Sequence, residues 1–376
     1  MDQITACFST WRVIRTGTRE IVEGIVRPAH RGPSAELARH LAAWPHAHYW
    51  AGPDQTELVL VRPTGPHSPE PWPLLGALFA LTVVCTLGAG ATLAGAYLAP
   101  LRGGALGMVS GGIAFLPDFL SGPVDLIVSG WTFAVPLLGI LLVHELGHYV
   151  AARRYGIDAS PPFFLPIPPN LSPIGSLGAF LKLRSPVVDR RQLLDVGAAG
   201  PLAGFVVVLG MLAWGYSTST VLPEWFGFRG TYVEVGGISF GLGDSILTRA
   251  FRDWFHPDAR AIRLSLPAFA GWAGALITGL NLLPLSQLDG GHIAYGLAGR
   301  RQGFLAIMTV LILVYLARLW PPWLVWVGLT LLVGGGRWSH PSVVCPERVV
   351  PPSRRLIGLL SALVLALTFV PVPFRP

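Results

Sequence analysis

The sequence predicts an all-α polytopic membrane protein. Six or seven transmembrane helices and a short membrane-associated β segment are expected, preceded by a small soluble α/β domain. Three observations lead there. Of the 376 residues 52% are hydrophobic and only 12% are charged, whereas a soluble domain carries about a quarter charged residues. Apolar stretches recur at close to the ~20 residues that a helix needs to cross a ~30 Å hydrocarbon core. Residues 1–70 break this pattern, with seven arginines and mixed charge.

Within residues 1–70, stretch 33–43 reads as helical and 57–62 as a strand. A small domain outside the membrane fits, with the Pro-rich stretch 63–73 as its linker. Residues 71–376 then form the membrane domain. Helices are expected at 72–98, 128–152, 196–216, 266–285, 304–319, 323–334 and 356–370. Pro321 and Pro322 either separate the fifth from the sixth or kink one long helix, so the count stays at six or seven. Stretch 103–122 is apolar but interrupted by glycines and Pro117, and reads as re-entrant or interfacial.

The net charge of +7 comes from arginine, since Lys182 is the only lysine. These arginines are scattered between apolar segments, which argues against a nucleic-acid surface. Cys7, Cys85 and Cys345 lie far apart, so neither a disulfide framework nor a cysteine zinc site is visible. The N-terminus shows no charged-then-apolar signal peptide, leaving insertion to the first membrane segment. The loop after the second helix holds six basic residues (Arg153, Arg154, Lys182, Arg184, Arg190, Arg191), and the loop before that helix holds Arg102. Basic loops face the cytoplasm, which puts the N-terminus there too. Arg229, Arg249, Arg252 and Arg260 in the next loop run against this count, but that loop is longer and balanced by acids.

Chemistry is concentrated near the end of the second helix, in Leu142-Val-His144-Glu145-Leu-Gly-His148. Histidines at i and i+4 share one helix face, so both rings can reach one Zn²⁺ ion. The glutamate between them stands beside the metal, placed to take a proton from an attacking water. With 10 histidines and nine glutamates in the chain, composition alone gives roughly 0.006 chance matches to this pattern. Three ionisable side chains within about a turn of an apolar helix are costly in hydrocarbon and mark a functional site.

A catalytic zinc wants about three protein ligands and an open position. The fourth helix ends in Asn281-Leu-Leu-Pro284-Leu-Ser-Gln-Leu-Asp289-Gly290-Gly291-His292. With the N-terminus inside, the second and fourth helices both run toward the cytoplasm, so His148 and Asp289 finish at similar depth. Asp289 is the natural third ligand. His292 is a rival that spacing alone does not exclude, since imidazole and carboxylate both suit zinc.

With these residues in place, the chain resembles the site-2 protease family of intramembrane zinc metalloproteases, in its bacterial and plastid branch without an evident PDZ insertion. That family pairs His-Glu-x-x-His with Asn-x-x-Pro-x-x-x-x-Asp-Gly, matched here by His144, Glu145 and His148 and by Asn281, Pro284, Asp289 and Gly290. The likeness spans about residues 128–296, the expected catalytic core, and its connecting segments 160–169, 175–184 and 197–204 look similar too. It implies one zinc per chain on His144, His148 and Asp289, with Glu145 as general base and no small-molecule cofactor. It favours Asp289 over His292 and puts Asn281 near the site. It also implies membrane-spanning protein substrates, a bilayer setting, and a bacterial inner membrane with the active site toward the cytoplasm. The stretch holding Gly178, Ala179 and Phe180 reads as a short exposed strand that could pair with an unwound substrate. The rival function is a transporter or channel with an intramembrane metal site. The polar residues, however, gather at one helix end instead of lining a path across, and a protein that only binds metal has no need of Glu145.

The loop charges make a direct prediction. A cysteine placed at Ser185 should react with a membrane-impermeant label only from the cytoplasmic side; labelling from the opposite side alone would invert the topology.

Overall fold

The structure, a computed structural model, describes residues 2–15, 19–31, 34–46, 48–51, 56–63, 70–96, 122–169, 171–184, 187–223, 229–235, 238–341, 343 and 345–375. The stretch 103–122 falls almost wholly outside them. The described part is mostly helical, with three small sheets.

The first elements are helix α1 (Asp2–Thr5), strands β1 (Phe8–Arg15) and β2 (Arg19–Val26), helix α2 (Ala35–Ala42), and strands β3 (His48–Ala51) and β4 (Glu57–Pro63). The strands form one antiparallel sheet in the order β1-β2-β4-β3. Strand β4 is apolar on both faces because both are covered, and successive side chains point opposite ways. Leu58 and Leu60 join Ile4, Cys7, Phe8 and Leu37 beneath the helices. Val59 and Val61 turn the other way and pack with Tyr49 and Ile21 against Tyr155, Val188 and Cys345 of the membrane half.

A polar rim surrounds that second contact. Arg348 lies 2.8 Å from Glu23 and 3.2 Å from Asp189. Arg184 grips Glu70 with two bonds of 2.6 and 2.8 Å, and Arg191 donates to the Trp50 carbonyl at 2.9 Å. Tyr155 donates to Asp195. Burial first, and then that bond, push the Tyr155 phenol up to about 12, so it remains a donor at physiological pH.

The membrane half begins with α3 (Trp72–Leu93), α4 (Pro123–Arg154) and α5 (Arg190–Ser217). After several short strands and α6 (Ile246–Phe255) come α7 (Leu266–Asn281), α8 (Asp289–Ala298), α9 (Gln302–Leu316), α10 (Pro322–Val333) and α11 (Arg354–Thr368). Among the described residues four stretches are long and apolar enough to cross a membrane: α3, α4, α5 and the combined Asp289–Leu316, which is interrupted by a 3₁₀ turn at Gly299–Arg301. Pro322–Val333 is apolar but shorter, and α7 and α11 have 16 and 15 residues.

The fourth helix therefore ends at Asn281, short of the expected 285. Residues 282–288 are non-helical, and the chain restarts as a helix at Asp289. Asp289 thus opens a helix where the sequence placed it at the end of one. The reason is tertiary: the Ser286 N–H bonds to the Trp338 carbonyl at 2.7 Å, and Ser286 takes a positive φ of 45°.

Glycines set the spacing between helices, since without Cβ two backbones can touch. A Cβ on Gly130 of α4 would lie 2.1 Å from the Leu87 carbonyl oxygen of α3, and one on Gly147 would lie 2.5 Å from that of Ala199. On the outer part of α5, Gly215 meets Ala268 and Gly271 meets Leu212. Further along, Gly204 meets His144, Gly200 meets His148 and Gly197 meets His292. Residue numbers fall along α5 as they rise along each partner, so α4, α7 and α8 all run antiparallel to α5. Helices α7 and α8 thus continue in one sense through the break. The main core lies where these helices cross, around Phe133, Leu137, Ile140, Val208, Leu212, Phe269 and Trp272.

Two small sheets flank the bundle. Strands β5 (Phe163–Pro166) and β6 (Ser176–Phe180) pair antiparallel in the segment between α4 and α5. At the opposite end, β7 (Thr220–Val221), β8 (Gly230–Val235), β9 (Ile238–Leu242), β10 (Ala261–Arg263) and β11 (Phe374–Arg375) form a sheet in the order β11-β9-β8-β10-β7.

Gly130→Val should force α3 and α4 apart and cost about 1–3 kcal/mol, as overpacking does. Gly139→Val, on the same helix but facing open space, should leave the unfolding temperature in detergent nearly unchanged. Equal losses in both variants would refute the close crossing.

Candidate metal centre

His144, Glu145 and His148 sit in the last third of α4, each under a tenth exposed. The helical repeat stacks the two imidazoles, with their Nε2 atoms 3.1 Å apart. The Asp289 carboxylate reaches across from α8. Its Oδ2 lies 3.2 Å from His144 Nε2 and its Oδ1 lies 3.2 Å from His148 Nε2. Donors of one tetrahedral zinc with bonds near 2.1 Å are separated by about 3.4 Å. The set of two imidazoles and one carboxylate therefore fits zinc in chemistry and in spacing.

Hydrogen bonding orients one of the donors. His148 Nδ1 lies 2.7 Å from the Val196 carbonyl oxygen. A carbonyl only accepts, so Nδ1 carries the proton and Nε2 keeps its lone pair facing the cluster. Helix α5 also makes the room. A Cβ on Gly200 would stand 2.1 Å from His148 Nε2, and one on Gly204 would stand 3.1 Å from His144 Cβ. These glycines, with Gly197, form a bare stripe at i, i+3 and i+7 against which His144, His148 and His292 rest.

The break before α8 delivers Asp289. A Cβ on Gly290 would meet the Leu282 carbonyl oxygen at 1.9 Å, and one on Gly291 would meet that of Ser286 at 2.2 Å. Both glycines are therefore required for the helix start to seat on the unwound chain. Pro284 lies in that chain, its carbonyl accepting from Gln302 Nε2 at 3.0 Å. Asn281 is the half-buried last residue of α7. His292 is engaged elsewhere, its Nδ1 sharing a hydrogen bond of 2.8 Å with His340 Nε2. The structure thus brings Asp289 to the two histidines and turns His292 toward a different partner.

Glu145 offers a carboxylate oxygen within 4.8 Å of a donor atom of each histidine. A carboxylate at that place can accept a proton and return it. Gly178, Ala179 and Phe180 lie in β6, which packs against α4. Gly178 has a φ of 119°, Ala179 is buried, and Phe180 is exposed beside Phe163. None of the three contributes a donor to the cluster.

Two contributors escaped the sequence reading. The glycines at 197–204 let α5 approach its neighbours closely, but nothing in their pattern told that His148 and His144 fill the space. The Val196 carbonyl is main chain and leaves no mark in sequence.

Comparison with known proteins agrees with this geometry. Residues 132–317 match Peptidase family M50. "Probable zinc metalloprotease EGY1, chloroplastic" of Arabidopsis thaliana is 31% identical over 241 residues, covering 64% of this chain and 42% of the relative. "Probable zinc metalloprotease EGY2, chloroplastic" of the same plant is 29% identical over 259 residues, or 67% and 43% of the two chains. The EGY2 protein of Oryza sativa subsp. indica is 32% identical over 187 residues, covering 47% and 31%. The chain spans less than half the length of each of these relatives. No solved structure matches it. The stretch 132–317, which holds all three convergent donor residues and Glu145, is a peptidase family M50 (site-2 protease) domain.

Proposed function

We propose that this protein is an intramembrane zinc metalloprotease that hydrolyses peptide bonds of membrane-spanning polypeptides. The observation that carries the reading is the convergence of His144, His148 and Asp289, from two separate helices, beside a buried Glu145 that is free to act as a base. His144, His148 and Asp289 would hold one zinc ion at this centre. Zinc, when bound, polarises the scissile carbonyl and makes water more acidic.

The chain's own residues do the rest. Glu145 takes the proton of the attacking water and passes it to the leaving amine as the peptide bond breaks. The Val196 carbonyl keeps His148 in the ligating tautomer, and Gly200 keeps the space in front of it clear. A substrate helix must unwind before its carbonyls are open to attack, and β6, with Gly178, Ala179 and Phe180, is the element we assign to pairing with the unwound chain. Asn281 is assigned a supporting role near the break. Residues 1–70 act as a soluble domain and linker, and residues 71–376 as a membrane domain with six or seven crossings. The basic loops put the N-terminus and the active site on the cytoplasmic side of the membrane.

Glu145→Gln preserves size while removing the base. Zinc content and folding should survive, while cleavage of a membrane-spanning substrate should fall roughly 10²–10⁴-fold. Cleavage at the wild-type rate would overturn the mechanism, and loss of zinc would make Glu145 a ligand. Asp289→Ala should instead lower the zinc content by nearly one equivalent per chain, because two imidazoles alone hold zinc poorly. Full retention would move the third ligand elsewhere. Gly200→Ala, which crowds the His148 ring, should weaken zinc binding in an otherwise folded protein; unchanged affinity would show that the ring has another place to go.

A further inference from the structure

Cys7, Glu36 and His40 lie nowhere near one another in sequence order except for the last two. Yet a Cys7 sulfur, a Glu36 carboxylate oxygen and a His40 ring nitrogen all fall within 4.8 Å of one another. Glu36 and His40 are one helical repeat apart on α2, so they share a face. Cys7 stands just ahead of β1, fully buried, with α1 and α2 packed above it. Behind Glu36 stands His30, its Nδ1 3.7 Å from the carboxylate and 3.3 Å from the hydroxyl of Ser34, the residue that caps α2.

We propose that Cys7, Glu36 and His40 form a second metal site, separate from the proteolytic centre and specific for a borderline divalent transition ion of the zinc class. Thiolate and imidazole together select such ions over magnesium and calcium, which take oxygen ligands. Three protein donors of sulfur, nitrogen and oxygen leave one position for water or for His30, which lies within reach of Glu36. On binding, the metal–sulfur bond forms as the Cys7 thiol gives its proton to solvent, with no change in oxidation state. The ion would staple α2 to the start of β1 on the sheet face opposite the one that meets the membrane half. A second metal would thus fasten the soluble part independently of catalysis. The bland alternative, a cysteine that merely fills the core, leaves the carboxylate and imidazole beside it unused.

Cobalt distinguishes the two sites, because only one of them contains sulfur. Full-length protein carrying His148→Ala and Asp289→Ala, stripped of metal and titrated with Co²⁺, should develop thiolate-to-cobalt charge-transfer absorption. Cys7→Ser in that background should abolish the band, while Cys85→Ser and Cys345→Ser should leave it intact. His40→Ala, a change near the surface that spares the core, should raise the Co²⁺ concentration for half-saturation at least about 10-fold, the lower end of what even outer-shell changes cost. No band in the parent protein, a band that survives Cys7→Ser, or an unaltered titration in His40→Ala would each overturn the proposal. Because two of the three proteolytic ligands are absent throughout, none of these results bears on the catalytic assignment.

Discussion

The carboxylate of Asp289, bridging two imidazoles inside an apolar helical bundle, is the interaction on which the rest of the membrane half depends. A lone carboxylate at that depth would be expensive. Matched to His144 and His148 it becomes tenable, and a divalent cation matches it better still. Bringing three such groups together demands that α4 and α8 flank α5 more closely than ordinary side chains permit. The bare stripe of Gly197, Gly200 and Gly204 meets that demand. The break at 282–288 meets a second one, since a continuous helix from α7 would carry residue 289 past the histidines. Non-helical backbone at such depth survives only where protein satisfies it, and here the Ser286 N–H and the Pro284 carbonyl both find partners.

The N-terminal sheet is not a loose appendage. Its inward face packs on Val188 and Tyr155, in the segment that joins α4 to α5, and on Cys345. Arg348 ties Glu23 of the sheet to Asp189, the residue that caps α5. The same α5 supplies the Val196 carbonyl and the glycine stripe. The N-terminal sheet thus rests on the start of the helix that lines the candidate metal centre. The sheet joins this network through main-chain and ion-pair contacts.

How much of this was legible in the sequence depends on how local each signal is. His144 and His148 could be paired because i and i+4 always share a helix face, whatever surrounds them. Asp289 could be matched to them because the second and fourth helices run in the same sense, although it opens α8 instead of closing α7. The break before α8 was not legible, since Leu282, Leu283, Leu285 and Leu288 continue the apolar pattern and only Pro284 hinted at an interruption. Its cause is a bond to Trp338, about 50 residues away. The role of Gly200 was half legible: small residues announce close approach, but not what fills the space. The Cys7, Glu36 and His40 cluster was invisible, because widely spaced cysteines conceal a site that a β-sheet and a helix assemble.

The most direct test of the central claim is the position of the cut. Purified protein would be reconstituted in lipid vesicles with a peptide carrying one membrane-spanning helix, and the products would be mapped by mass. Cleavage inside the apolar segment, abolished by a chelator and restored by Zn²⁺, is the result this account predicts. Cleavage confined to the soluble flanks, or cleavage inside the segment that persists without metal, would contradict it.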